Sequence, residues 1–137
     1  MSAPIAIVAA VVRDADGRVL LVRKHGTAAF LQPGGKREAG EGDIAALARE
    51  LGEELGCGIV AGSARPVGAF SAPAANEAGR EVVAHVYAVR LDGTPVASAE
   101  IAELAWVDPA APGDLVLAPL TRDGILPALA GEGAMAR

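Results

Sequence analysis

Seven residues between positions 35 and 56 carry the chemistry that this sequence offers: Gly35, Glu41, Arg49, Glu50, Glu53, Glu54 and Gly56. Glu50 stands three and four residues before Glu53 and Glu54, so on a helix the three carboxylates share one side and their charges repel. They need a positive partner. Oxygen ligands from several carboxylates suit a hard cation such as Mg²⁺ or Mn²⁺, and bound divalent ions are a usual partner for phosphate chains. Immediately upstream, Pro33-Gly34-Gly35-Lys36 supplies glycines that let the backbone turn tightly and bring carbonyls or amides near a ligand. Lys36 adds a charge that seeks phosphate.

An acidic helix face is more often a solvated surface than a site. Here the flanking residues decide otherwise. A solvated face has no need of a preceding Pro-Gly-Gly turn or of Glu41 nine residues before Glu50. Nor does it need Gly52 and Gly56, each of which weakens a helix by about 1 kcal/mol. The helix is expected to start with Asp43 as its cap. Ile44, Leu47, Ala48, Leu51 and Leu55 then recur at helical spacing as the face turned to the core.

The full pattern is Gly, five free residues, Glu, seven free, Arg-Glu-aliphatic, one free, Glu-Glu, one free, Gly-aliphatic. The chain matches it everywhere except the last position, where Cys57 replaces an aliphatic residue. It resembles the signature of the Nudix hydrolases, the Nudix box. The resemblance covers nearly the whole chain and implies an α/β fold, the Nudix-type α/β/α sandwich with a mixed β-sheet between helices. It also implies a metal-dependent pyrophosphohydrolase that cleaves a phosphoanhydride in a nucleoside diphosphate linked to a group X, in line, by water. Mg²⁺ or Mn²⁺ would be held by the carbonyl of Gly35 and by Glu50, Glu53 and Glu54, with Arg49 orienting a box glutamate and Glu41 buttressing the loop. The proton acceptor is left open between Glu50 and an acid from a later loop. In the MutT branch a further acidic ligand lies six residues before the Trp of the last strand, which here is Glu100, with Glu103 as its rival. An exposed loop charge is the plain alternative for both.

Substrate contacts are less sharply written. Arg23 and Lys24, by position, resemble the basic residues that hold phosphate in similar enzymes, and surface charge is the alternative. Phe30 stands where relatives place an aromatic near the base, although a lone aromatic is more often core. Where the MutT branch reads oxidised purine with an Asn, this chain has Thr121, which counts against specificity for 8-oxo-guanine. Asn76 and Glu77 lie in a polar run near the expected site and are candidates for substrate contact or for a surface turn. Pro73 stands sixteen residues past Cys57, where members that cleave ADP-ribose carry a proline. Nucleoside triphosphates, oxidised ones included, therefore come first, with ADP-ribose or a nucleotide sugar as the alternative substrate. A non-catalytic nucleotide-binding domain is the alternative of another class, and it is disfavoured because such domains degrade the box that is kept here.

Composition frames these expectations. At 137 residues, 52% of them hydrophobic, the chain is one domain with one core, spanning 1–137. Its net charge of −5, with no run of Lys or Arg, argues against polymeric nucleic acid and for a small nucleotide substrate. The single Cys57 forbids an internal disulfide and reads as a small core residue. The apolar start has no basic lead or cleavage site, and no stretch of about 20 apolar residues exists to span a membrane. A cytoplasmic monomer or homodimer is expected.

Strands are expected over 5–12, 18–23, 65–70, 81–91 and 104–107. The first two form a hairpin around Asp14-Ala15-Asp16-Gly17, and 71–79 is a loop. A second helix covers 120–129, shortened or kinked by Pro127.

Overall fold

The alternation of apolar residues along the first two strands gives each of them two faces to bury, and the fold covers both. A computed structural model describes residues 3–74 and 77–135. Strands β1 (Ile5–Val11), β3 (Gly34–Gly35), β4 (Arg65–Pro73) and β5 (Glu81–Ala88) form a sheet in the order β3-β1-β5-β4. In it β1 runs parallel to β5 and antiparallel to β3, and β4 is antiparallel to β5. Strands β2 (Val19–Lys24) and β6 (Ile101–Val107) make a separate antiparallel pair. Helix α1 (Asp43–Leu55) packs Ala46, Leu47, Leu51 and Leu55 onto one side, against Val8, Ala10, Leu20 and Val22. On the other side Ile125, Leu126 and Leu129 meet Ala9, Val11, Val19 and Leu21. Odd and even residues of β1 and β2 thus face opposite layers, as a period of two requires. This is the expected mixed sheet between helices. Among the described residues no helix is long and apolar enough to cross a membrane.

Four local expectations are corrected. The turn after β1 forms, with Asp14 Oδ1 accepting the amides of Asp16 and Arg18, but the hairpin ends almost at once. Beyond the Leu20 N–H to Val12 carbonyl bond the two strands part, β1 to β5 and β2 to β6, because each has a longer apolar partner elsewhere. The stretch 71–79 is not all loop. Strand β4 continues through Ser71, Ala72 and Pro73, the last opposite Glu81 at the strand end, where a missing N–H is tolerated.

The second helix opens as a wide turn over Leu120–Ile125 before becoming α2 (Leu126–Met135). Pro127 offers no N–H and its ring crowds the carbonyl four residues back, and just ahead of it the Leu126 N–H reaches five residues back to the Thr121 carbonyl.

Asp43, finally, is not the cap of α1: Gly42 holds that position without a side-chain bond, and Ile44 is exposed. The Asp43 carboxylate instead accepts from the Tyr87 hydroxyl and from Arg37 Nη1 at 2.7 Å, with His85 Nδ1 at 3.2 Å. The Tyr87 hydroxyl, ahead of His85 and Arg37, holds Asp43 below the usual carboxylate range. This cluster ties the start of α1 to β5. Tyr87→Phe should therefore cost about 1–2 kcal/mol and lower Tm by roughly 3–7 °C. An unchanged melting curve would show that the tie carries no stability.

Candidate active site

Two glycines and one helix build the site. Gly34 pairs with Ala9 and Gly35 with Val8, so the loop is stitched to β1. Gly34 has φ 150°, and a Cβ there would lie 2.1 Å from the Val8 carbonyl oxygen. At Gly35 a Cβ would fall 2.5 Å from Cδ of Glu50. Only residues without a side chain let the Glu50 carboxylate lie against this backbone.

Glu54, one turn further along α1, is 1% exposed. Its Oε1 accepts the Gly34 amide at 3.0 Å, while Oε2 is buried and has no partner among the described residues. Burial, reinforced by the Glu50 charge and opposed by the Gly34 amide, pushes its carboxyl up to about 8.

Glu100 completes the group. It follows Ala99, which takes the left-handed φ of 53°, a strain of about 1–2 kcal/mol for a residue with a Cβ. The turn is held by the Glu100 carbonyl, which accepts the His25 amide at 2.9 Å. Among the described residues Glu50, Glu54 and Glu100 each offer an oxygen within 4.8 Å of the others'. Three carboxylates at that spacing, one with an orphaned buried oxygen, fit a hard divalent cation by donor type and by charge.

Arg49 fixes the surroundings. Its Nε and Nη2 donate to the two oxygens of Glu41, both at 2.8 Å, and Nη1 donates to Glu50 Oε1 at 2.9 Å. Nη2 also reaches the Lys36 carbonyl at 3.0 Å, so one guanidinium joins helix, loop and carboxylate. The bond from Arg49, followed by the Glu38 amide, lowers Glu41 to about 2. The same bond from Glu41 raises the Arg49 guanidinium above its ordinary value.

A cavity of about 370 Å³ opens beside the carboxylates, lined by Glu50 and Glu100 and by Lys24, Lys36, Glu77 and Thr121. Lys24 Nζ lies 3.6 Å from Glu100. Several residues expected at the site are elsewhere. Glu53 projects to solvent, with Arg49 as an opposite charge 3.8 Å away, and it stays outside the carboxylate group. Arg23 does not line the cavity; it bonds Glu103 at 3.0 Å and the Thr27 carbonyl at 2.9 Å. That bond also directs Glu103 away, so Glu100 is the later acid that meets the box. Phe30 is 5% exposed and does not line the cavity; its ring packs in the core on the α2 side, and its backbone bridges Leu117. Asn76 lies outside the described residues.

Sequence reasoning overlooked the apolar wall of Ile5, Ile7, Val82 and Leu120, and it overlooked Gln32. Gln32 is 5% exposed; its Oε1 accepts the Thr121 hydroxyl at 2.7 Å, and its Nε2 has no partner among the described residues. A polar residue between Leu31 and Pro33, next to the glycine turn, was the available signal.

Comparison with known proteins bears on this arrangement. The model of a family described as the NUDIX domain matches residues 3–129. No curated protein sequence matches significantly. Among solved structures, the ORF135 protein of E. coli is 31% identical with a TM-score of 0.72, over 96% of this chain and 90% of that one. The MutT protein of Methanosarcina mazei Go1 is 26% identical with a TM-score of 0.78, over 97% and 98% of the two chains. A UDP-X diphosphatase, 21% identical with a TM-score of 0.76, shares the fold; all of this chain aligns with 66% of that one.

Proposed function

The chain belongs to the Nudix hydrolase family, and from that premise we propose that it cleaves the phosphoanhydride of nucleoside diphosphates linked to a group X, nucleoside triphosphates foremost. The observation that supports this reading is the juxtaposition of Glu50, Glu54 and Glu100 with a cavity that also presents Lys24 and Lys36. A divalent cation, Mg²⁺ or Mn²⁺, bound by those three carboxylates would neutralise charge on the phosphate chain and lower the pKa of the attacking water.

The remaining work falls to side chains. Lys24 and Lys36 line the cavity and hold phosphate oxygens there. Water attacks phosphorus, the bridging P–O bond breaks in line, and the second phosphate leaves with its oxygen. Glu50 and Glu100 line the cavity and belong to the three-carboxylate group, and one of them would take the proton that the water gives up. Arg49 holds Glu50 for that role, and Glu41 holds Arg49. The apolar wall takes the sugar and base.

The reading is tested by a panel of nucleoside triphosphates, ADP-ribose and nucleotide sugars incubated with Mg²⁺, with phosphate or pyrophosphate release as readout. Release from triphosphates at rates above those for ADP-ribose is expected, and the reverse order would move the substrate class. Oxidised guanine should be favoured only mildly. The Thr121 hydroxyl is engaged with Gln32 and is 0% exposed, so it makes no second contact that recognises an 8-oxo group. The preference for 8-oxo-dGTP over dGTP is therefore expected to stay well under about a thousandfold in kcat/KM. A value of about ten-thousandfold or more would place an unrecognised reader in the cavity.

A further inference from the structure

We infer that Gln32 selects the nucleobase, favouring bases with a carbonyl at the edge that reaches it, guanine and thymine or uracil, over adenine and cytosine. The inference rests on the triphosphate reading above. Three observations carry it.

Gln32 lines the cavity, yet it is 5% exposed and its Nε2 has no hydrogen-bond partner among the described residues. A buried amide donor left unmade is costly in any fold and is ordinarily satisfied. On its other side the fully buried Thr121 donates its hydroxyl to Gln32 Oε1 at 2.7 Å, and in this arrangement the nitrogen is the free edge. Thr121 is itself placed by the wide turn over Leu120–Ile125, a helical irregularity of a kind often found at functional sites. Core packing does not require such a pair, since an aliphatic residue at position 32 would fill the same space without an orphaned donor.

A lone N–H donor discriminates by its partner. A base carbonyl accepts from it. An exocyclic amino group meets it donor to donor and leaves both unsatisfied in a place closed to water, and a site built this way rejects the wrong partner strongly. Adenine and guanine, or cytosine and thymine, differ at that edge in this sense while keeping the same ring size, so shape alone does not produce the effect.

The test uses the full chain and two variants. Gln32→Met keeps the length and removes both polar atoms. Thr121→Val keeps the shape and frees the amide to present either edge. Calorimetry with non-hydrolysable analogues of dGTP, dATP, dTTP and dCTP in Mg²⁺ gives affinities, and the natural triphosphates give kcat/KM.

The wild type should prefer guanine over adenine and thymine over cytosine by about ten- to a hundredfold in both, and both variants should bring the ratios close to one. Absence of the preference in the wild type, or its survival in Gln32→Met, overturns the inference. If Gln32→Met fails to melt cooperatively, the wild-type ratios and Thr121→Val decide. Analogues bound with the carbonyl preference but no triphosphate cleaved would leave the inference standing and overturn the proposed substrate. Cleavage at equal rates for guanine and adenine would do the opposite, and failure of every analogue to bind would overturn both.

Discussion

Glu54→Gln is expected to lower kcat by at least about a hundredfold while making the metal-free protein more stable. The activity loss follows from removing one anionic oxygen donor of the three carboxylates, in the range found when an electrostatic partner in an active site is deleted. The stability gain follows from burial. In the metal-free fold Glu54 is raised to about 8 from the ordinary value of 4.5, mainly because its charge would lie in the interior. Between about pH 4.5 and pH 8 the unfolded chain releases this proton while the folded one keeps it, so stability present at low pH is lost as pH rises through that window. Glutamine has nothing to release. The difference in unfolding free energy between variant and wild type, measured without metal, should thus be positive and grow from pH 5 to pH 8, reaching on the order of a few kcal/mol. Since a cation requires the ionised carboxylate, Mg²⁺ affinity of the wild type should rise over the same interval. Near-normal turnover of Glu54→Gln at saturating Mg²⁺ would remove the box from the chemistry.

Excess EDTA should reduce turnover to background, and returning Mg²⁺ should restore it. Without a cation, Glu50, Glu54 and Glu100, with oxygens within 4.8 Å of one another, confront a polyphosphate with like charge at close range. The same loading has a signature independent of catalysis. A ligand present at about a hundred times its Kd stabilises the fold by about 2.7 kcal/mol, so Mg²⁺ should raise the wild-type Tm and raise that of Glu54→Gln far less. Hydrolysis undiminished by the chelator, with no thermal shift on adding Mg²⁺, would dismiss the metal assignment.

The parts of this site that were legible in the sequence are those fixed by local periodicity. Glu50 and Glu54 are four residues apart on one helix, and the two glycines beside them are bound by contacts that a Cβ would break. Glu53 stands apart from that group because neighbouring helical residues diverge by about 100°, so only one of the adjacent pair faces the loop. Glu100 could be counted from Trp106 because it directly precedes β6, the strand that contains the tryptophan, although the pairing with β2 shifts register between Glu103 and Ile101. Phe30 and Arg23 depended on partners far along the chain, Leu117 and Glu103, which a local reading does not supply. Gln32 followed no pattern at all; its meaning arises only when Thr121 is brought against it. The hairpin expectation failed for a similar reason: the turn chemistry at Asp14 was right, but β1 and β2 found longer partners in β5 and β6.

That parting of the first two strands governs how the molecule comes into being. Ile5 pairs with Val82, and Arg23 with Glu103, so both ladders close loops that embrace most of the chain. Closing such loops costs entropy before any contact returns it, and chains dominated by distant pairings fold slowly. The box helix can form early, as local segments do, but at that stage it carries its repelling glutamates without the β1 backbone that shapes the glycine loop and without Glu100. The three carboxylates come together only when the two halves of the chain have met. Assembly of the carboxylate group thereby requires long-range pairing and cannot be achieved by the box helix alone.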